Sequence, residues 1–218
     1  MAYTLRNVLD DIALFINQDP ALVSGTDLTS QVNIINQVQN EWGDTYQWKQ
    51  LRVPYVPTFT YSGTSLALPT NFKKAMSKIY DVSKTDTNDY DEIEPADRFT
   101  KPSTERYFYT GGNDAAGKYL VINPPLMSGA SLTLDIQVTP SSVATLQDVM
   151  TCPSRAFITA RSIAKILAAR SDTRFPTFKA ESDDLLGNMI EEEASPSGAM
   201  NNQIDTYFRR INYRIGND

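Results

Sequence analysis

The chain contains no histidine among its 218 residues. Ser-His-Asp and Cys-His catalysis is therefore excluded, as is any zinc site that needs a His ligand. Cysteine is nearly absent as well. Cys152 stands alone, so no intrachain disulfide forms and a reducing compartment suffices. It precedes Pro153 and the start of a helical pattern, where a helix N-terminus lowers a thiol pKa. Burial as a small apolar side chain is the simpler expectation. Positive charge is scarce: 20 Lys and Arg against 26 Asp and Glu leave a net −6. That is the wrong sign for gripping phosphates. An acidic surface would let DNA slide past, although solubility is its plainer purpose. No apolar run approaches the roughly 20 residues a membrane helix needs. The start also lacks the basic-then-apolar pattern of a signal peptide.

What the chain does have is a change of period. Residues 4–17 carry Leu5, Val8, Leu9, Ile12 and Ile16 at helical spacing, with Thr4 as N-cap. A second helix starts at Asp27, turns Leu28, Val32, Ile35, Val38 and Trp42 inward, and ends near Gly43. From 51 to about 139 short β-rich runs alternate with turn residues. Residues 52–61 form an edge strand or bulge because of Pro54 and Pro57. Further runs cover 65–68 and 77–82, a hairpin joins 107–110 to 118–123, and 131–138 alternates cleanly. Residues 95–101 suit one short helical turn. Helical spacing returns at 153–170 and again from Thr177, stopping at Ser195-Pro196-Ser197-Gly198.

These patterns predict an α+β fold: a four-helix bundle from both chain ends (1–50 and 151–193) with an inserted β-rich module (51–150). An extended C-terminal arm, 194–218, follows. Rich in Ser, Gly, Asn and Pro, it cannot bury a core of its own. Yet it ends in Tyr207, Phe208, Arg209, Arg210, Tyr213 and Arg214. Such a tail gains order by lying on something else, which makes the chain an assembly subunit. Arg155, Arg161 and Arg170 fall on the outer side of the third helix. Their expected role is a subunit interface with the Glu191, Glu192 and Glu193 of a neighbour.

Three candidate chemistries fail on spacing or context. Gly112-Asn113-Asp114-Ala115-Ala116-Gly117-Lys118 matches a phosphate-binding loop, but Tyr119 replaces the Ser or Thr and a strand pattern follows where a helix is needed. Asp86, Asn88, Asp89, Asp91, Glu92 and Glu94 suggest calcium, but Asp91 occupies the position where such a loop needs glycine. A solvated loop is expected instead. Glu41, Trp42, Asp44, Tyr46 and Trp48 suit a sugar site for paired-carboxylate hydrolysis, yet aromatics at a helix–strand junction more often form core. No catalytic, metal or cofactor residue is expected.

One order of motifs stands out. Val32-Asn33-Ile34-Ile35-Asn36-Gln37-Val38-Gln39-Asn40-Glu41-Trp42 is followed by Tyr46-Gln47-Trp48-Lys49-Gln50-Leu51 and Leu66-Ala67-Leu68-Pro69-Thr70-Asn71-Phe72. Next come Lys78-Ile79-Tyr80-Asp81-Val82, Tyr119-Leu120-Val121-Ile122-Asn123-Pro124-Pro125 and a strand from Leu132 to Pro140. Over residues 4–190 this order resembles the head-to-tail adaptor (connector) proteins of tailed bacteriophages. The resemblance implies a structural virion protein, assembled in the host bacterial cytoplasm as a ring, usually of twelve copies. Such a ring docks under the portal protein, extends the DNA channel without binding DNA specifically, and presents a platform to a tail or nozzle protein. Helices build its wall and the C-terminal segment reaches the portal. Two other classes remain open: a cell-wall glycan hydrolase acting during entry, and a β-sandwich binding module of the virion surface.

Overall fold

A computed structural model describes residues 2–16, 25–56, 63–81, 89–113, 116–126 and 132–194. The chain divides into two compact units, Met1–Lys49 with Ser141–Asp218, and Gln50–Pro140.

The first unit is helical. Helix α1 spans Leu5–Phe15 and buries Leu5, Val8, Leu9, Ile12 and Ala13, the stripe its spacing dictates. Thr4 caps it: both its backbone N–H and its hydroxyl donate to Asn7 Oδ1, at 3.0 and 3.1 Å. Helix α2, Gly25–Thr45, buries Ile35, Val38 and Trp42. It starts two residues before the expected cap Asp27 and runs through Gly43. Helix α3, Arg155–Ala169, begins where the Ser154 hydroxyl accepts from Phe157 N–H. It buries nine of its residues, Phe157, Ile158, Ile163 and Leu167 among them. Helix α4, Phe175–Ala194, fully buries only Ser182 and Ile190.

The expected four-helix bundle with an inserted module is not what forms. The main helix contacts all run through α3, which packs on α1, α2 and α4 in turn. Two features of the side chains explain this. Helix α4 lacks a continuous buried stripe and cannot serve as an equal fourth wall. Helix α2 spends its polar side on an irregular segment rather than on a helix. Asn36 grips Val143 from both ends, Nδ2 donating to its carbonyl and Oδ1 accepting from its N–H, each at 2.9 Å. Gln39, almost wholly buried, accepts from Thr151 N–H at 2.9 Å and donates to Ser141 O. The same segment meets the start of α1, where Leu5 N–H donates to Asp148 O and Met150 N–H to Tyr3 O. Buried backbone must find partners, and here side chains of α2 supply them.

The second unit is a curled, mixed half-barrel sheet. Its strands are β1 (Arg52–Tyr55), β2 (Gly63–Ala67), β3 (Phe72–Ala75), β4 (Ile79–Asp81), β5 (Asp89–Glu92), β6 (Tyr107–Asn113), β7 (Gly117–Leu126) and β8 (Leu132–Val138). The order is β1-β8-β4-β5-β6-β7-β2, with β3 paired to β8 beside β4. All pairings are antiparallel except β5 with β6. The edge position of β1 fits Pro54. The sheet curls far enough for a side chain of one edge strand to reach the other: the Tyr55 hydroxyl donates to Ala67 O at 2.9 Å. Its interior is aliphatic and aromatic, built from Leu68, Phe72, Ile79, Tyr90, Phe108, Leu120, Ile122, Leu132, Leu134 and Ile136. A 3-10 turn at Asp97–Phe99 lies where a short helical turn is expected. Strands β3 and β5 are additions to the sequence-based reading, and β5 replaces part of the expected acidic loop.

Candidate interaction surfaces

Of the six residues expected at a subunit interface, Arg155, Arg161 and Glu193 are engaged inside the chain, and Arg170, Glu191 and Glu192 are exposed. Arg155 lies on the first turn of α3 and faces α1. Its Nε donates to Asp11 Oδ2 at 2.6 Å, and its Nη2 donates to Asn7 O at 3.1 Å and also pairs with Asp11 Oδ1. The Asp11 carboxylate raises the Arg155 pKa further. Arg161 is not on an outer face. Its side chain is only 26% exposed and reaches Asp183 of α4 at 2.8 Å and Glu41 of α2 at 3.5 Å. Lys165 holds the other Glu41 oxygen at 2.5 Å, and Lys179 pairs with Asp183 at 2.8 Å. This network ties three helices together. Arg170 caps α3 and is exposed. Glu193 accepts from the backbone N–H of Lys49 at 2.7 Å. Glu191 and Glu192 are exposed. The arm residues Tyr207, Phe208, Arg209, Arg210, Tyr213 and Arg214 lie outside the described residues.

The motif-like stretches resolve into scaffold. Residues 112 and 117 sit in a β6–β7 hairpin, with Asn113 opposite Gly117. Gly112 has φ +89°, and a Cβ there would lie 2.2 Å from Gly117 O, so glycine serves the turn. No helix N-terminus follows, because Gly117 opens strand β7. Of the acidic cluster, Asp89 and Asp91 flank Lys78, at 3.0 and 2.8 Å. Lys78 holds the Asp89 carboxyl below its usual range. Among the described residues no group of three or more acidic, Cys or His side chains is arranged to hold a metal. No helix among them is long and apolar enough to cross a membrane. The supposed sugar site is core. Trp42 and Trp48 are fully buried and stacked at 5.1 Å, and Trp48 Nε1 donates to Trp42 O at 2.6 Å. Glu41 is held by Lys165 and Arg161. Cys152 is buried, and burial pushes its thiol pKa up to about 12, so it is inert.

What sequence reasoning missed is apolar surface. Leu14 and Phe15, at the end of α1, are 72% and 52% exposed. Phe15 meets Phe178 of α4 edge-to-face at 5.6 Å. On the sheet unit Phe99 is 79% exposed, with the Arg98 guanidinium 4.5 Å from its ring and 5.4 Å from that of Tyr109. A signal existed for the first patch: Leu14 and Phe15 fall off the buried stripe of α1, whose i, i+3, i+4 spacing ends at Ile12 and Ile16. Compared with known protein families and with curated proteins, the chain matches none.

Proposed function

We propose that this chain is a structural virion protein, the head-to-tail adaptor of a tailed bacteriophage. Twelve copies form a ring that docks under the portal protein, extends the DNA channel and carries the tail or nozzle protein. The subunit is made in the host bacterial cytoplasm and acts in the particle. The observation that carries the reading is how the side chains are spent. The charged groups that could do chemistry, Glu41, Arg155, Arg161 and Asp183, hold helices together, while large apolar groups such as Leu14 and Phe15 face outward. That distribution suits a part made to be covered by other parts. The order of motifs from Val32 to Pro140 supports the family, and a net charge of −6 suits a channel that DNA traverses without gripping.

Electron microscopy of particles carrying a labelled copy of this chain tests the proposal. The label is expected in a ring between portal and tail. A label elsewhere on the particle, or a soluble chain that turns over cell-wall glycan, overturns it.

A further inference from the structure

We propose that the outward side of α4, with the apolar patch at its N-terminal end, is a docking surface for residues 207–214 of the same chain. The inference does not depend on the adaptor reading and goes beyond it.

The surface has two parts. Glu181, Asp184, Glu191 and Glu192 are all exposed, at positions that share the side of α4 opposite Ser182 and Ile190. They lie within twelve residues, roughly 16 Å of helix. Among the described residues none of the four has an ion-pair or hydrogen-bond partner, although Asp183 beside them has two cations. The second part is the Leu14–Phe15–Phe178 patch, next to the first turn of the same helix. Arg174 borders it and is already paired with Asp172.

The occupant must therefore be basic and aromatic at once. Residues 207–214 read Tyr-Phe-Arg-Arg-Ile-Asn-Tyr-Arg, three cations and no acid, inside a chain whose net charge is −6. The arginines complement the carboxylates, and Phe208, Ile211 and Tyr213 supply what an apolar patch needs. Length permits the return. From Ala194 back to Phe178 is roughly 24 Å along the helix. The twelve residues 195–206 reach roughly 40 Å when extended. A tether that short keeps the segment at roughly millimolar effective concentration beside its own α4, ahead of any second copy. That reach allows a segment running back along α4 to bring Arg209 and Arg210 to Asp184 and Glu181, and Tyr213 to Phe15. A partner that takes this segment must first lift it off the helix.

The test is disulfide trapping in the full chain under a mild thiol oxidant, with buried Cys152 left in place. Leu14→Cys with Tyr213→Cys is expected to form an intrachain bond about tenfold faster than Val149→Cys with Tyr213→Cys, Val149 being another exposed apolar position of the same unit. Neutralising α4 with Glu181→Gln, Asp184→Asn, Glu191→Gln and Glu192→Gln should slow the first reaction severalfold. Equal rates at the two positions, no bond, or a rate unchanged by neutralisation each overturn the proposal. A bond between two chains overturns it in favour of a second copy as occupant. In the unmodified chain, backbone hydrogen exchange over 207–214 should be slow at low salt and fast at high salt, and exchange indifferent to salt overturns it without any variant.

Discussion

The helical unit and the sheet unit are stabilised by different means. In the sheet unit the backbone pairs with itself along ladders, and the side chains inside are almost purely apolar. In the helical unit a stretch without regular structure, 141–154, takes its partners from side chains more than a hundred residues away, Asn36 and Gln39 above all. A ladder bond survives substitution of the side chain beside it. A clamp made by an amide side chain does not. Polar positions should therefore be sensitive in the helical unit and tolerant in the sheet unit, whereas apolar core positions should be sensitive in both.

The largest expected effect tests whether the two units respond separately. Phe157→Ala empties a buried site on α3, the helix on which α1, α2 and α4 all pack, and should cost about 3–5 kcal/mol. Backbone hydrogen exchange should then quicken through 2–49 and 141–194 and stay slow in β6, β7 and β8. Uniform quickening would erase the distinction between the units.

Next is the clamp itself. Asn36→Leu leaves the Val143 N–H and carbonyl without their partner and should cost about 1–3 kcal/mol by denaturant unfolding. Thr133→Val, a partly buried polar position on ladder strand β8, should cost less than about 1 kcal/mol. Equal costs would break the contrast.

A smaller effect concerns charge. Arg161→Glu places a carboxylate against Glu41 and Asp183 and should destabilise the free subunit by about 1–2 kcal/mol, while Arg170→Glu, exposed at the end of α3, should change it by less than about 0.5 kcal/mol. The smallest effect is set by pH. Asp148 accepts from the N–H groups of Ala144 and Thr145 and from the Thr145 hydroxyl, which lower its carboxyl pKa to about 2. Because the folded value lies below the unfolded one, this contribution is complete above about pH 4 and fades as pH falls through about 2. Asp148→Asn should lower stability at neutral pH and flatten that acid limb. An acid limb identical to wild type would show that the Asp148 turn contributes nothing.

Regular amphipathic spacing made α1 and α3 legible in the sequence, and strict alternation did the same for β8. Strand β3, Phe-Lys-Lys-Ala, escaped because it has neither β-branched residues nor alternation, and the ladder with β8 decides its conformation. Strand β5 escaped because Asp89, Asp91 and Glu92 read as solvated charge. Only Tyr90 enters the core, and the cation that compensates Asp89 and Asp91, Lys78, becomes their neighbour only once the strands pair. The bundle was expected because the polar side of α2 looks like a solvent face, and nothing local reveals that Asn36 and Gln39 serve backbone 102 to 112 residues away. The intrachain partners of Arg155 and Arg161 escaped for the same reason: their positions on α3 were readable, but Asp11, Glu41 and Asp183 beside them were not.

The dependence of α1 and α2 on residues beyond 140 also sets a schedule for synthesis. A ribosome adding about 5–20 residues per second delivers α3 roughly 5–25 s after α2 has emerged. Throughout that interval Leu5, Val8 and Ile12 have no α3 to pack against, while the whole of Gln50–Pro140 leaves the exit tunnel before it. The chain therefore completes its middle first and its beginning last. During that interval the nascent N-terminus is the segment that a chaperone would hold.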